Sequence, residues 1–484
     1  MASSRVVRVR RGDDTVAAHE LAEGITQIQS ELKVTPDFPE DVVTAAEKAA
    51  AAPRLPSRDR TDLAFVTIDP PGAMDLDQAL FIERDGDGFV VHYAIADLAA
   101  FITPGDPVDQ EAHERGETLY GADSKVPLHP TELSEGAASL LPDQVRPAFV
   151  WSIKVDETGE GNDVLVERAL VKSRERLNYE EVQQQIDAGT ATESLMLLRE
   201  VGKLRIEREA ARGGVSLPLP EQEVDIEGDH WRLTFRSLLP VEQWNAQISL
   251  LTGFAAASLM VYARVGLLRT LPPPDPRDIQ RLHRTARALK IEWPAEQLYP
   301  DFIRSLDPGQ PTHAAMIVAC TRLLRGAAYV SFNGEVPEQP QHAALASEYA
   351  HVTAPLRRLA DRYALEVCAS LCAGEEVPDW VLTGLKELPE IMAGSGRKSH
   401  QYERAVLDLV EAGVLRGREG ESFAAVVVDL DDRDETRGTV TVQEPAIEAE
   451  VSGSDKLPLG EDVQVTLRTA DVRSRTVEFA LRES

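Results

Sequence analysis

The spacing of hydrophobic and polar positions changes twice along the chain. Leu63-Ala-Phe-Val-Thr-Ile68 is a short, nearly unbroken apolar run and predicts a buried strand. Phe81-Ile82 and Phe89-Val-Val-His-Tyr-Ala-Ile95 flank Asp85-Gly-Asp-Gly88, which predicts a hairpin. Ahead of these lie an amphipathic stretch at 17–32 and an alanine-rich stretch at 45–52 that Pro53 and Pro56 terminate. Beyond Tyr179 the spacing becomes helical. It predicts helices at 179–188, at 192–212 ending on Gly213-Gly214, and at 243–267 stopped by Leu271-Pro-Pro-Pro274. Further helices are predicted at 279–289, 312–329 and 356–371. After Gly417 the period shortens again. Segments 423–430, 436–443, 446–451, 462–469 and 475–481 are β-rich and turn-separated, the pattern of a five-stranded OB-type barrel. The expected fold is α+β. A short segment, 1–36, precedes a large domain at 37–417 and a barrel at 418–484.

Composition narrows the function classes. The chain has 484 residues, 43% of them hydrophobic, enough for a large core and more than one domain. Its net charge of −30 argues against broad adhesion to a polyanion. A nucleic-acid enzyme remains compatible, because only its channel must be basic. Residues 421–484 of the C-terminal module hold 7 Lys and Arg against 15 Asp and Glu, with Phe423 and Phe479 as the only aromatics. Single-strand binders combine basic charge with aromatic platforms, so this barrel alone is a poor grip. No apolar run reaches the roughly 20 residues of a membrane helix, and no membrane association is expected. The basic start at 1–11 is followed by no apolar stretch and is not read as a secretory signal. Cys320, Cys368 and Cys372 cannot build a disulfide framework or zinc ribbon, so a reducing cytoplasm is expected.

The sharpest local signal is Thr67-Ile-Asp-Pro-Pro-Gly-Ala-Met-Asp-Leu-Asp-Gln78. A strand delivers Asp69, a Pro-Pro-Gly turn follows, and Asp75 and Asp77 point to one side of extended chain. Carboxylates brought together this way suit a hard divalent cation such as Mg²⁺. A solvated acidic loop is the other reading that spacing allows. Asp85-Gly-Asp-Gly88 lacks the remaining ligands of a calcium loop and is read as a turn.

Segment 65–80 resembles the metal-binding signature of the RNB catalytic domain, found in ribonuclease II and ribonuclease R. Further stretches agree in order: Thr118-Leu-Tyr120, Val126-Pro-Leu-His-Pro130 and Val145-Arg-Pro147. Tyr349-Ala-His-Val-Thr-Ala-Pro-Leu-Arg-Arg358 with Asp361 is similar to the family's arginine signature. Segment 173–179 and Arg212-Gly-Gly-Val215 match more weakly, and the resemblance spans residues 40–415. It implies an RNB-type domain followed by an OB/S1-like barrel. It also implies a Mg²⁺-dependent 3′-to-5′ exoribonuclease, with Mn²⁺ as a substitute, that cuts single-stranded RNA to nucleoside 5′-monophosphates. Asp69, Asp75 and Asp77 would form the metal site, with Gln78 as a neutral fourth ligand. Asp77 and Arg357 would be catalytic. Tyr120 would stack on the terminal base and Arg357 would contact RNA; Arg358 and His351 would either contact the RNA backbone or be structural.

Departures are visible as well. The family signature usually ends in Asp-Asp, where this chain has Asp77-Gln78. Ala246-Gln247 stands where a Glu-Glu pair is usual, and Leu217 where an aromatic sandwiches the terminal bases. The alternative expectation is therefore a weakened or inactive RNB-fold RNA-binding protein. The family's two N-terminal cold-shock barrels are expected to be absent. A monomer is expected, and no protein partner can be deduced.

Overall fold

The computed structural model describes residues 7–11, 16–121, 125–217, 221–227, 230–236 and 238–482. The anticipated segment 1–36 therefore lies partly outside the described residues. A closed five-stranded barrel organises the first half of the fold. It runs through Phe65–Asp69, Gln78–Asp85, Gly88–Ala96, Val145–Val155 and Gly161–Asn178, and the last strand closes it by pairing in parallel with the first. The hairpin around Asp85 is present, with Asp85 paired to Gly88.

Barrel strands bury alternate residues in two different hydrophobic clusters. Val66, Ile68, Ile82, Val91, Tyr93, Phe149 and Trp151 belong to one. Phe65, Ala79, Ala94, Ala148, Val150, Ala169 and Val171 belong to the other. Period two is thus kept while both faces stay apolar, so these strands look like continuous hydrophobic runs in sequence. The long strands 145–155 and 161–178 were not anticipated, although their alternation is visible once the partners are known.

Helices Tyr179–Asp187, Glu193–Ala211, Pro276–Ala288 and Leu359–Ala373 fall close to the predicted spans. Two predicted helices are too long. The central helix is Pro240–Ala263; Arg264 then turns left-handed (φ +59°) and Val265–Thr270 continues as a strand. Its partner is Ala328–Asn333, which includes the end of the helix expected at 312–329; the helix there is only Pro311–Cys320. Each error has the same cause, since neither strand has a partner until the other arrives. By length and composition the central helix could cross a bilayer, a property the sequence reading overlooked. More than half of its most apolar stretch is buried inside the protein, with Val241, Ile248, Leu251, Ala256 and Met260 in the main core.

The C-terminal strands are Ser422–Leu430, Arg437–Gln443, Ala446–Ser452, Asp462–Asp471 and Thr476–Leu481, and they close a second barrel. A 28-residue helix, Leu388–Leu415, connects it to the large domain and was not anticipated. Against it packs Val16–Leu32, where Leu21, Ile25 and Ile28 meet Tyr402, Val406 and Leu409 in one cluster with the barrel's Phe423 and Phe479. The amphipathic N-terminal stretch thus finds its apolar partner nearly four hundred residues later. Asp429 on the first barrel strand pairs with both Arg281 and Arg322, fastening the barrel to the helical layer around 276–324.

Candidate active site

Pro70-Pro71-Gly72-Ala73 closes as a β-turn, with Ala73 N–H donating to the Pro70 carbonyl at 3.1 Å. Gly72 supplies the left-handed φ of +82° that the third position requires. Ser139 fastens the following loop. Leu76 N–H donates to its hydroxyl oxygen at 3.0 Å, and that hydroxyl donates to the Met74 carbonyl at 2.6 Å. Arg176 donates to the Ala73 carbonyl. Neither Ser139 nor Arg176 belongs to the acidic signature, and sequence reasoning gave no reason to single them out.

The three aspartates acquire different surroundings. Asp69 ends the first barrel strand, and its Oδ2 is buried without a hydrogen-bond partner. Burial pushes its carboxyl up to about 7. Asp77 is 5% exposed; its Oδ1 accepts from Leu356 N–H at 2.7 Å and its Oδ2 lies 3.6 Å from Arg357 Nε. Burial pushes this carboxyl up to about 8, against the opposing pull of the Arg357 guanidinium. Asp75 is turned to Lys125, whose ammonium bridges it at 3.1 Å and Glu135 at 2.7 Å. The anticipated convergence is therefore incomplete. Among the described residues, no three acidic, histidine or cysteine side chains gather tightly enough to form a cation cage. Like charges repel, and Asp75 and Asp77 are drawn to separate partners while Asp69 keeps an unpartnered oxygen. An all-oxygen set containing an orphaned buried carboxylate oxygen still fits a hard cation.

The arginine segment reaches this loop from 279 residues away through the Leu356–Asp77 bond. The two neighbouring arginines divide the roles expected of them. Arg358 donates to Asp361 through both Nε (2.8 Å) and Nη2 (2.7 Å), while Asp361 also accepts from Ala354 N–H at 2.7 Å. Asp361 is fully buried and Arg358 mostly so, which favours the structural reading of Arg358 as a strut. Arg357 keeps 42% of its side chain exposed beside Asp77. His351 is likewise enclosed: its Nδ1 lies 2.6 Å from the Tyr329 hydroxyl and its ring meets Tyr349 edge-on. This interior place favours the structural one of its two readings, and burial with the nearby Arg358 and Arg269 lowers the imidazole's pKa well below its usual value.

Tyr120 is brought to the same spot by main-chain pairing. Thr118 N–H donates to the Arg357 carbonyl at 2.9 Å, and Leu359 N–H donates to the Gly116 carbonyl at 3.0 Å. The ring stays 36% exposed, beside the exposed guanidinium. Gln78 has a different employment from the one anticipated. Its Nε2 donates to the Thr353 carbonyl at 2.6 Å and its Oε1 accepts from the Tyr93 hydroxyl at 2.8 Å. Gln247 donates to Glu209 at 2.7 Å, and Leu217 packs against the cluster containing Leu282 and Phe302.

Comparison with known proteins agrees with this arrangement. Residues 57–371 match the RNB domain, and residues 421–482 match the RNase II-type exonuclease C-terminal S1 domain. Among curated relatives, ribonuclease R of Aquifex aeolicus is 26% identical over 81% of this chain and 58% of its own length. The probable exosome complex exonuclease RRP44 of Caenorhabditis elegans is 30% identical over 76% of this chain and 40% of its own. The chain thus spans about half the length of such relatives. In fold it is similar to Mycoplasma genitalium RNase R solved with ribose-methylated single-stranded RNA. That match has a TM-score of 0.83 and 20% identity, and covers 96% of this chain and 78% of the other. It is also similar to yeast Ssd1, a pseudonuclease, with a TM-score of 0.69 and 16% identity, covering 92% and 57%. The aspartate loop, the arginine segment and the two matched domains together place this chain in the RNB family, with a C-terminal S1 domain of the RNase II exonuclease type.

Proposed function

We propose that this protein is a 3′-to-5′ exoribonuclease that hydrolyses single-stranded RNA to nucleoside 5′-monophosphates in a reducing cytoplasm. The observation that carries the reading is the meeting of Asp77 and Arg357 at 3.6 Å, with an exposed Tyr120 alongside. A guanidinium with an open face can fork two phosphate oxygens and offset charge developing on them. Tyr120 can stack on a terminal base of any identity, since every base has a π-face. Asp77, held by Leu356 N–H, can orient a water toward the phosphorus. Asp69, Asp75 and Asp77 would hold Mg²⁺, or Mn²⁺ in its place, which supplies Lewis acidity at the phosphate. The ribose-methylated single-stranded RNA bound in the similar RNase R structure supports the same ligand class here.

A second reading, an RNA-binding protein with weakened or absent catalysis, is favoured by the incomplete carboxylate cluster. One assay separates the two. The full chain, incubated with 5′-labelled single-stranded RNA and Mg²⁺, is expected to produce a ladder of shortened products. Asp77→Asn should abolish the ladder while RNA retention in a filter assay persists. No ladder from the wild-type chain, with RNA still retained, would favour the second reading.

A further inference from the structure

Gln78 stands next to Asp77, at the position where the family signature usually carries an acid. Its carboxamide joins three separate parts of the fold. Nε2 donates to the Thr353 carbonyl, 275 residues away, and Oε1 accepts from Tyr93 on the third barrel strand. The Tyr93 hydroxyl also lies 2.9 Å from Ser249 Oγ on the central helix. Tyr93 is 1% exposed and Thr353 4%, so these bonds are sheltered from water.

The Thr353 end is well placed to matter. Residue 354 follows directly, and its carbonyl accepts from both Arg357 N–H (3.2 Å) and Arg358 N–H (3.0 Å). Gln78 therefore anchors the base of the turn that presents Arg357. Only a group that donates at one end and accepts at the other satisfies both neighbours. A carboxylate here would set a negative oxygen against the Thr353 carbonyl, leaving two acceptors opposed in a buried place. The acid usual at this position is incompatible with the bond this chain makes.

We propose that Gln78 is a positioning residue rather than a cation ligand, tying the aspartate strand to the arginine turn so that Arg357 faces Asp77. The proposal rests on the RNA-hydrolysing reading of this site and assigns the one signature position at which the chain departs from the family. It is tested on the full chain with Gln78→Ala, Gln78→Glu and Tyr93→Phe. Three measurements are made: hydrogen exchange of peptides covering 349–358, Mn²⁺ binding followed by electron paramagnetic resonance, and kcat and KM on labelled single-stranded RNA.

Faster exchange at 349–358 is expected in both Gln78 variants, with kcat down by about tenfold to a hundredfold and KM moved far less. Mn²⁺ affinity of Gln78→Ala should stay within about threefold of wild type, because no ligand has been removed. Tyr93→Phe frees only one end of the tie and should show a smaller change in the same direction. It keeps the proposal testable if Gln78→Ala does not fold. Unchanged exchange, or Mn²⁺ binding weakened about tenfold or more in Gln78→Ala, would overturn it. Should the wild-type chain shorten no RNA, the reading of function fails, while exchange and Mn²⁺ binding still decide the role of Gln78.

Discussion

Arg357 and Arg358 are adjacent and chemically identical, yet their surroundings assign them opposite work. Arg358 satisfies Asp361, which is fully buried, so Arg358→Ala leaves an uncompensated buried carboxylate. Such a loss costs about 3–5 kcal/mol, and a large fall in the denaturation midpoint is expected. Arg357→Ala removes a guanidinium 42% exposed and 3.6 Å from its acid, so stability should scarcely move. Its cost should appear in turnover instead, at about 10²- to 10³-fold in kcat, the scale of one lost charge-stabilising donor. Urea melts beside RNA-shortening rates check both. A destabilised Arg357→Ala with normal kcat would exchange the two assignments. The adjacent pair was legible in the sequence; which member is buried was not, because burial depends on where the helix Leu359–Ala373 docks.

Among elements, the central helix and the segment leading to Arg357 approach each other closely. Gly253 faces Tyr349 and Ala350, and a Cβ there would stand 2.6 Å from the Ala350 carbonyl oxygen and collide with the Tyr349 ring. Gly253 is expected to matter for this close approach and not for its backbone freedom. Gly253→Ala should therefore destabilise by about 1–3 kcal/mol through overpacking. It should lower RNA turnover as well, since Tyr349 to Arg357 must shift. A variant with unchanged urea midpoint and unchanged kcat would show that the segment yields freely. Strand and helix expectations also divide at this scale. The C-terminal barrel strands were legible to within a few residues, helped by three of their five pairings joining consecutive strands. The first residues of Val265–Thr270 and of Ala328–Asn333 were misread as helix because their pairing joins segments some sixty residues apart.

For the whole molecule, buried neutral histidines set an acid limit. His129 is 1% exposed; its Nδ1–H donates to the Leu356 carbonyl at 3.1 Å and its Nε2 has no partner. Burial lowers its pKa from 6.5 to about 4. The unfolded chain therefore takes up this proton at higher pH than the folded one. The stabilisation is complete above pH 6.5 and is lost as pH falls toward 4, by about 3 kcal/mol for this residue. Burial likewise pushes His342 down to about 3 and lowers His351, which adds to the same trend. The raised carboxyls of Asp69 and Asp77 act in the opposite sense over this range, so the histidine is read by difference: lowering the pH from 7 to 4 should cost wild type more of its denaturation midpoint than it costs His129→Asn. Equal slopes in the two proteins would contradict this assignment.

Local spacing along the chain was enough to determine that strands come first, helices later and a five-stranded barrel last. Resemblance to the RNB family, not spacing, marked Tyr120 and Arg357; local spacing marked the loop of Asp69, Asp75 and Asp77 as chemistry-bearing. These are properties of near neighbours, carried by period, turn residues and charge. Only the tertiary structure decided that Asp75 turns to Lys125, that Arg358 and His351 face inward, and that Gln78 bonds across the site instead of standing free. It also closed the first barrel and gave the N-terminal helix its partner at 388–415. The physical reason is common to all of these. Burial and hydrogen-bond partnership depend on residues hundreds of positions apart, and no local period records which of them will meet.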